Sequence, residues 1–187
     1  MEQNNEILED QIRQIFAGVV WTQKLQEKQA DMYRNRYNIL ETVKIVISPI
    51  TSAGIISIIF MDDFYLKLIT AVISMISIGI TTYFKTFDLP GLMNQHKSSS
   101  LQLLHIREQL ISLLSDIKIQ RLKTEDIIKK RDEILSSLQA VYDGSIDPSA
   151  AAVGLAEKAL KQDKGFTYTD QEIDSYLPVH LRKSNIA

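Results

Sequence analysis

The chain has no cysteine among its 187 residues. That excludes a disulfide scaffold, thiol catalysis and cysteine-ligated metal, without assigning a compartment. Net charge is also small, -2 from 21 basic and 23 acidic residues. A dedicated nucleic-acid binder would carry a basic face, so none is expected. Glycine (7) and proline (4) are scarce and no β-type alternation persists, which points to an almost wholly α-helical protein. Catalytic signatures are missing as well. His96, His105 and His180 are far apart and in no metal-ligand spacing. There is no glycine-rich phosphate loop, no nucleophile elbow and no paired-acid motif in an apolar setting. Glu108, Asp116, Glu125 and Asp126 read as solvated helix charges. Neither an enzyme nor a cofactor is expected.

What the chain does have is concentrated apolar sequence. Mean hydropathy is only -0.05 because the rest is charged. Ile45 to Met61 and Leu68 to Phe84 contain no charged residue, and Asp62-Asp63-Phe64-Tyr65-Leu66-Lys67 separates them. Each run of about 17 residues makes roughly 26 Å of helix, the short end of what crosses a bilayer. Charges stop abruptly at both ends, apolar side chains occupy every face, and Tyr65, Tyr83, Phe84 and Phe87 cluster at the ends. The expected class is therefore an all-α membrane protein. It comprises a two-helix transmembrane hairpin over residues 44–85 and long amphipathic, coiled-coil-like cytoplasmic helices. The bland alternative is a soluble hairpin inside a large core.

Basic residues set the orientation. Lys24, Lys28, Arg34, Arg36 and Lys44 precede the first span, and Lys85, Lys97 and Arg107 follow the second. The positive-inside rule puts both termini in the cytoplasm and the corner outside. No cleaved signal peptide is expected ahead of the hairpin.

Inside the spans, Pro49 is expected to kink the first helix, with Ser48 and Ser52 nearby. Thr70, Ser74, Ser77 and Thr81 recur at steps of four, three and four, forming one face of the second. Small polar faces of this kind commonly pack helices together. Around a common axis of several hairpins they would instead contact water. Asp62 and Asp63, with Lys67, would then ring the outer mouth. Their plainer task is to end the first helix and keep the corner in water.

Flanking the hairpin, residues 1–43 read as one or two amphipathic helices, with Ile12, Phe16 and Val19 recurring and a possible loosening at Ala17-Gly18-Val19-Val20. Asp88-Leu89-Pro90-Gly91 reads as a break. Ser98-Ser99-Ser100 offers N-caps for the next helix; a phosphate site with Lys97 and His105 is the weaker reading. In residues 86–144, Leu103, Ile106, Leu110, Leu113 and Ile117 form a heptad seam within one helix from Leu101 to about Tyr142, with a phase slip near Thr124 and an αL cap at Gly144. That seam must bury itself against the leader, against other copies, or both. The tail, residues 145–187, starts a helix at Asp147-Pro148 running toward Gln162 and stopping near Gly165. Thr169 to Glu172 forms a capping box for a second, and Leu177 to Leu181 packs back onto the long helices.

Several positions together resemble a known family. Trp21 with Lys24 leads to Tyr33 and Tyr37, then the hairpin, Tyr83-Phe84, Asp88-Leu89-Pro90, His96, the helix from Leu101, and Leu177-Pro178. This layout resembles the SLATT family, the SMODS and SLOG-associating two-transmembrane effector domain of bacteria, over roughly Gln14 to Leu181. The resemblance implies a membrane effector of an anti-phage or related conflict system. Such an effector would respond to a nucleotide second messenger or a separate sensor or synthase protein, form a homo-oligomer and permeabilise the membrane. It supplies no catalytic residues. A non-conducting membrane-anchored scaffold is the alternative. A cation channel with the calcium uniporter's hairpin layout ranks last, since the corner reads Met61-Asp62-Asp63-Phe64 and lacks the W-D-x-x-E-P signature.

Overall fold

The structure, a computed structural model, describes residues 2–160 and 169–183. Gln162 and Gly165, expected near the end of the first tail helix, lie outside the described residues. Among the described residues there is no strand. Six α-helices follow in order: α1 (Glu2–Phe60), α2 (Phe64–Thr86), α3 (Leu89–Lys118), α4 (Thr124–Gly144), α5 (Ala150–Leu160) and α6 (Asp170–Tyr176), closed by a short 3-10 turn at Val179–Leu181. The chain divides into two compact units. One is a helical bundle from the chain up to Gln29 and the described residues from Gln95 onward; the other is a hairpin unit, Ala30–Asn94.

In the bundle, every three or four residues of α1 an apolar side chain is fully buried, as at Ile12, Phe16 and Val19. They meet the heptad seam of α3, whose Leu103, Ile106, Leu110, Leu113 and Ile117 all lie in the same core. Ile127, Ile134, Leu138 and Val141 of α4 close it from another side. The seam is thus buried within one protomer. Each such side chain contributes about 1.5–3 kcal/mol, so the bundle is held mainly by this burial. Ile173, Leu177 and Leu181 add to that core, the last two as expected for the segment Leu177 to Leu181. The capping box is also present: Glu172 N donates to Thr169 Oγ1, and Thr169 N donates to Glu172 Oε2 at 2.9 Å.

α1 runs through Gly18, where Thr22 Oγ1 donates to the Gly18 carbonyl, and holds Pro49 in its interior. Several boundaries differ from the sequence reading. The break between α2 and α3 falls at Phe87-Asp88, and Pro90-Gly91 belongs to the first turn of α3. Asp88 Oδ1 accepts from Gly91 N at 2.9 Å, and proline is tolerated where helix N–H groups have no partner anyway. Ser98, Ser99 and Ser100 consequently sit inside α3, not at its start, and the last two are buried. The expected single helix from Leu101 to Tyr142 is two helices, α3 and α4. The turn between them places Gln120 at φ 53°, a left-handed backbone that favours glycine. The C-cap of α4 is Ser145 in extended geometry, so Gly144 makes no αL cap. Ser149, rather than Asp147, caps α5: its Oγ accepts from Ala152 N, while its own N and Oγ donate to Gln29 Oε1.

Candidate functional site in the apolar hairpin

The hairpin unit pairs the later part of α1 with α2, joined by Met61–Asp63. Pairing is antiparallel: Gly54 meets Thr70, and further along Tyr37 meets Phe84 edge to face at 5.5 Å between ring centroids. Residues of α2 alternate in exposure with helical period. Thr70 is buried and Leu66, Ile73, Ser74, Ser77, Ile80, Tyr83 and Phe84 are half-buried, so they form the face turned to α1. On α1 the corresponding half-buried residues include Ile47, Thr51, Gly54, Ser57 and Ile58. Contact is close at Gly54, where an added Cβ would lie 2.6 Å from Thr70 Oγ1. Glycine is required there because the helices touch.

The hydroxyl positions separate into two groups. Thr70, Ser74 and Ser77 lie on the packed face, whereas Ser48, Ser52 and Thr81 are exposed. Two of the exposed hydroxyls are satisfied on their own helix: Ser52 Oγ donates to the Ser48 carbonyl at 3.1 Å and Thr81 Oγ1 to the Ser77 carbonyl at 2.9 Å. Thr51 and Ser57 do the same to Ile47 and Ala53. Such back-bonding removes donors that hydrocarbon cannot satisfy. At Pro49 there is no N–H for the Ile45 carbonyl to accept, and the helix runs on regardless.

The corner is polar and tightly closed. Asp63 is the N-cap of α2, its Oδ1 accepting from Leu66 N at 2.9 Å. Asp62 forms an ion pair with Lys67. All three therefore have local roles at the end of the hairpin.

Outside the packed face the hairpin is apolar and bare. Phe60 is 81% exposed, Met75 75% and Ile59 74%, and Ile45, Ile56, Ile69 and Ile78 also stand open. Water rarely faces so continuous an apolar surface on a soluble monomer. Both helices are long and apolar enough to cross a bilayer, and almost nothing of those stretches is buried inside the protein. A core hairpin would show the reverse. Among the described residues no cluster of histidine and carboxylates could hold a metal ion.

In the bundle, polar residues that the sequence reading passed over are buried together. Arg13 is 1% exposed and Asp174 0%. Arg13 Nη2 donates to Asp174 Oδ1 at 2.6 Å and Nη1 to the Leu181 carbonyl at 3.0 Å. Asp174 also accepts from Lys183 N at 3.2 Å. The partners stand far apart in sequence, so no local pattern marks them. His96, also 1% exposed, donates from Nδ1 to Gln26 Oε1 at 2.5 Å, because Gln26 Nε2 is committed to the Ile146 carbonyl. Burial lowers the His96 pKa below 6.5.

Two apolar helices long enough to cross a bilayer, in a chain whose described residues are helical, define the class: a helical protein with two candidate membrane-spanning helices. Residues 8–172 match the model of the SMODS and SLOG-associating 2TM effector domain family 4, and the chain belongs to that family. Neither the curated proteins nor the solved structures offer a match.

Proposed function

We propose that the chain is the membrane effector of a bacterial anti-phage system, which assembles into a homo-oligomer and permeabilises the inner membrane. Both termini face the cytoplasm in this reading. The trigger is a nucleotide second messenger or a separate sensor or synthase protein. Family membership supports the effector role. The observation that carries the pore is the placement of Thr70, Ser74 and Ser77 on the single face of α2 that is withdrawn from lipid. In the closed protomer that face packs on α1. In an assembly of several hairpins it turns to a shared axis and becomes wet, with Asp62, Asp63 and Lys67 at the outer mouth.

Expression with a voltage-sensitive dye tests this. The wild-type chain with its trigger collapses membrane potential, and the Ser74→Leu/Ser77→Leu variant inserts normally without doing so. Insertion and assembly with an unchanged potential would sink the pore. The second reading, a non-conducting membrane-anchored scaffold, is favoured by the α3 seam, which is consumed within the protomer and not left for self-assembly. It predicts that the hairpin can be exchanged for an unrelated one with function retained.

A further inference from the structure

The hairpin unit carries a cationic and aromatic collar that the pore reading does not use. Arg36 lies 6.0 Å from the Tyr83 ring centroid and Lys44 5.7 Å from that of Phe84. Tyr83 stacks on Phe87 at 4.7 Å. Beside them is an open groove of about 610 Å³, lined by Arg36, Ile39, Leu40, Gly79, Ile80 and Tyr83. Among the described residues, Arg36, Lys44 and Lys85 have no carboxylate partner. Glu41 is the one acid that α1 carries between Arg36 and the corner.

Depth in the bilayer follows from helix rise. From Phe64 to Phe84, α2 climbs about 30 Å, the full hydrocarbon thickness. Counting the same length back along α1 from Phe60 reaches about Leu40. Arg36, Tyr83 and Lys85 then stand at headgroup level. Lys44 starts within the hydrocarbon and can snorkel along Phe84. Ile39, Leu40, Gly79 and Ile80 line a slot entering the acyl region below the guanidinium. Ile39 is 64% exposed, and a Cβ added at Gly79 would meet nothing within 4 Å, so the slot is open at that point.

We propose that this collar binds an anionic phospholipid, with the headgroup phosphate on Arg36 beside Tyr83 and one acyl chain lying in the groove over Gly79. Arg36, the one cation lining the groove, complements the phosphate, and its guanidinium matches it through paired N–H donors. The groove supplies what a free phosphate would not need. The proposal rests on the membrane reading but not on conduction.

The test uses the full-length chain purified in detergent micelles. Lipid retention is read by native mass spectrometry after adding phosphatidylglycerol, phosphatidylcholine or glycerol phosphate. One cation at the surface is worth roughly five-fold in preference for an anionic lipid. Wild type is expected to retain phosphatidylglycerol at least that much better than phosphatidylcholine. Arg36→Gln should erase the preference and Arg36→Lys, which keeps the charge but not the paired donors, should keep part of it. Gly79→Leu should block retention of both lipids while circular dichroism shows unchanged helix. The proposal is overturned if wild type retains the two lipids equally, if Lys at position 36 fails as Gln does, if Gly79→Leu binds normally, or if glycerol phosphate alone competes as well as the lipid. A chain that dissolves without detergent would instead remove the membrane reading beneath it.

Discussion

Removing the charge of Asp174 should unfasten the end of the bundle. Its carboxylate is fully buried, takes a 2.6 Å bond from Arg13 Nη2 and a 3.2 Å bond from Lys183 N. Asp170, 3.5 Å from the same guanidinium, is more than half exposed and compensates weakly. Asp174→Asn keeps the shape and an acceptor for Lys183 but leaves the Arg13 cation inside the protein. Breaking a buried ion pair from one side costs about 3–5 kcal/mol, against a typical domain stability of about 5–15 kcal/mol. Replacing both partners, Arg13→Met with Asp174→Leu, should restore much of the loss because neither charge then needs water. Trp21 is the only tryptophan and lies in the bundle, so its fluorescence reports this unit during urea unfolding. A loss below about 1 kcal/mol for Asp174→Asn, or a double variant as unstable as the single one, would refute the reasoning.

Two further outcomes follow from the structure. His96 is held neutral in the bundle, its pKa lowered by burial. The unfolded chain takes up this proton first, so stability is fully present above about pH 6.5 and is lost as pH falls from there through the lowered value. His96→Gln should flatten that acid limb below about pH 6.5; parallel curves for the two proteins would assign the limb elsewhere. In the hairpin, Gly54→Leu drives a side chain into Thr70 and should cost about 1–3 kcal/mol, while Gly79→Leu meets nothing at its Cβ and should cost far less. Equal loss of helicity on heating in detergent for both would contradict the packing described at Gly54.

The hairpin was legible because hydrocarbon imposes a strong rule on sequence: no charge over a full span. The capping box at Thr169 and the return of Leu177 and Leu181 to the core were legible for local reasons, being short spacings with one dominant cause. The turn after α3 was not. It contains no glycine or proline, and Gln120 takes the left-handed backbone because α4 must reverse to cover the α3 seam. At Pro90-Gly91 a familiar turn signal was overridden by the Asp88 side chain, which caps the helix it begins. On α2 the spacing placed four hydroxyls on one face, but only Thr70, Ser74 and Ser77 are withdrawn; Thr81, nearest the aromatic end, stands open. Arg13 and Asp174 left no trace in the sequence, since a charge looks solvated until its distant partner is known.

The central claim is that lipid surrounds the bare apolar surface of α1 and α2. Alkaline carbonate extraction of membranes from cells producing the full-length chain tests it most directly. The chain should stay in the membrane pellet and leave it only with detergent. Release into the carbonate supernatant as a folded, detergent-free protein would contradict the account.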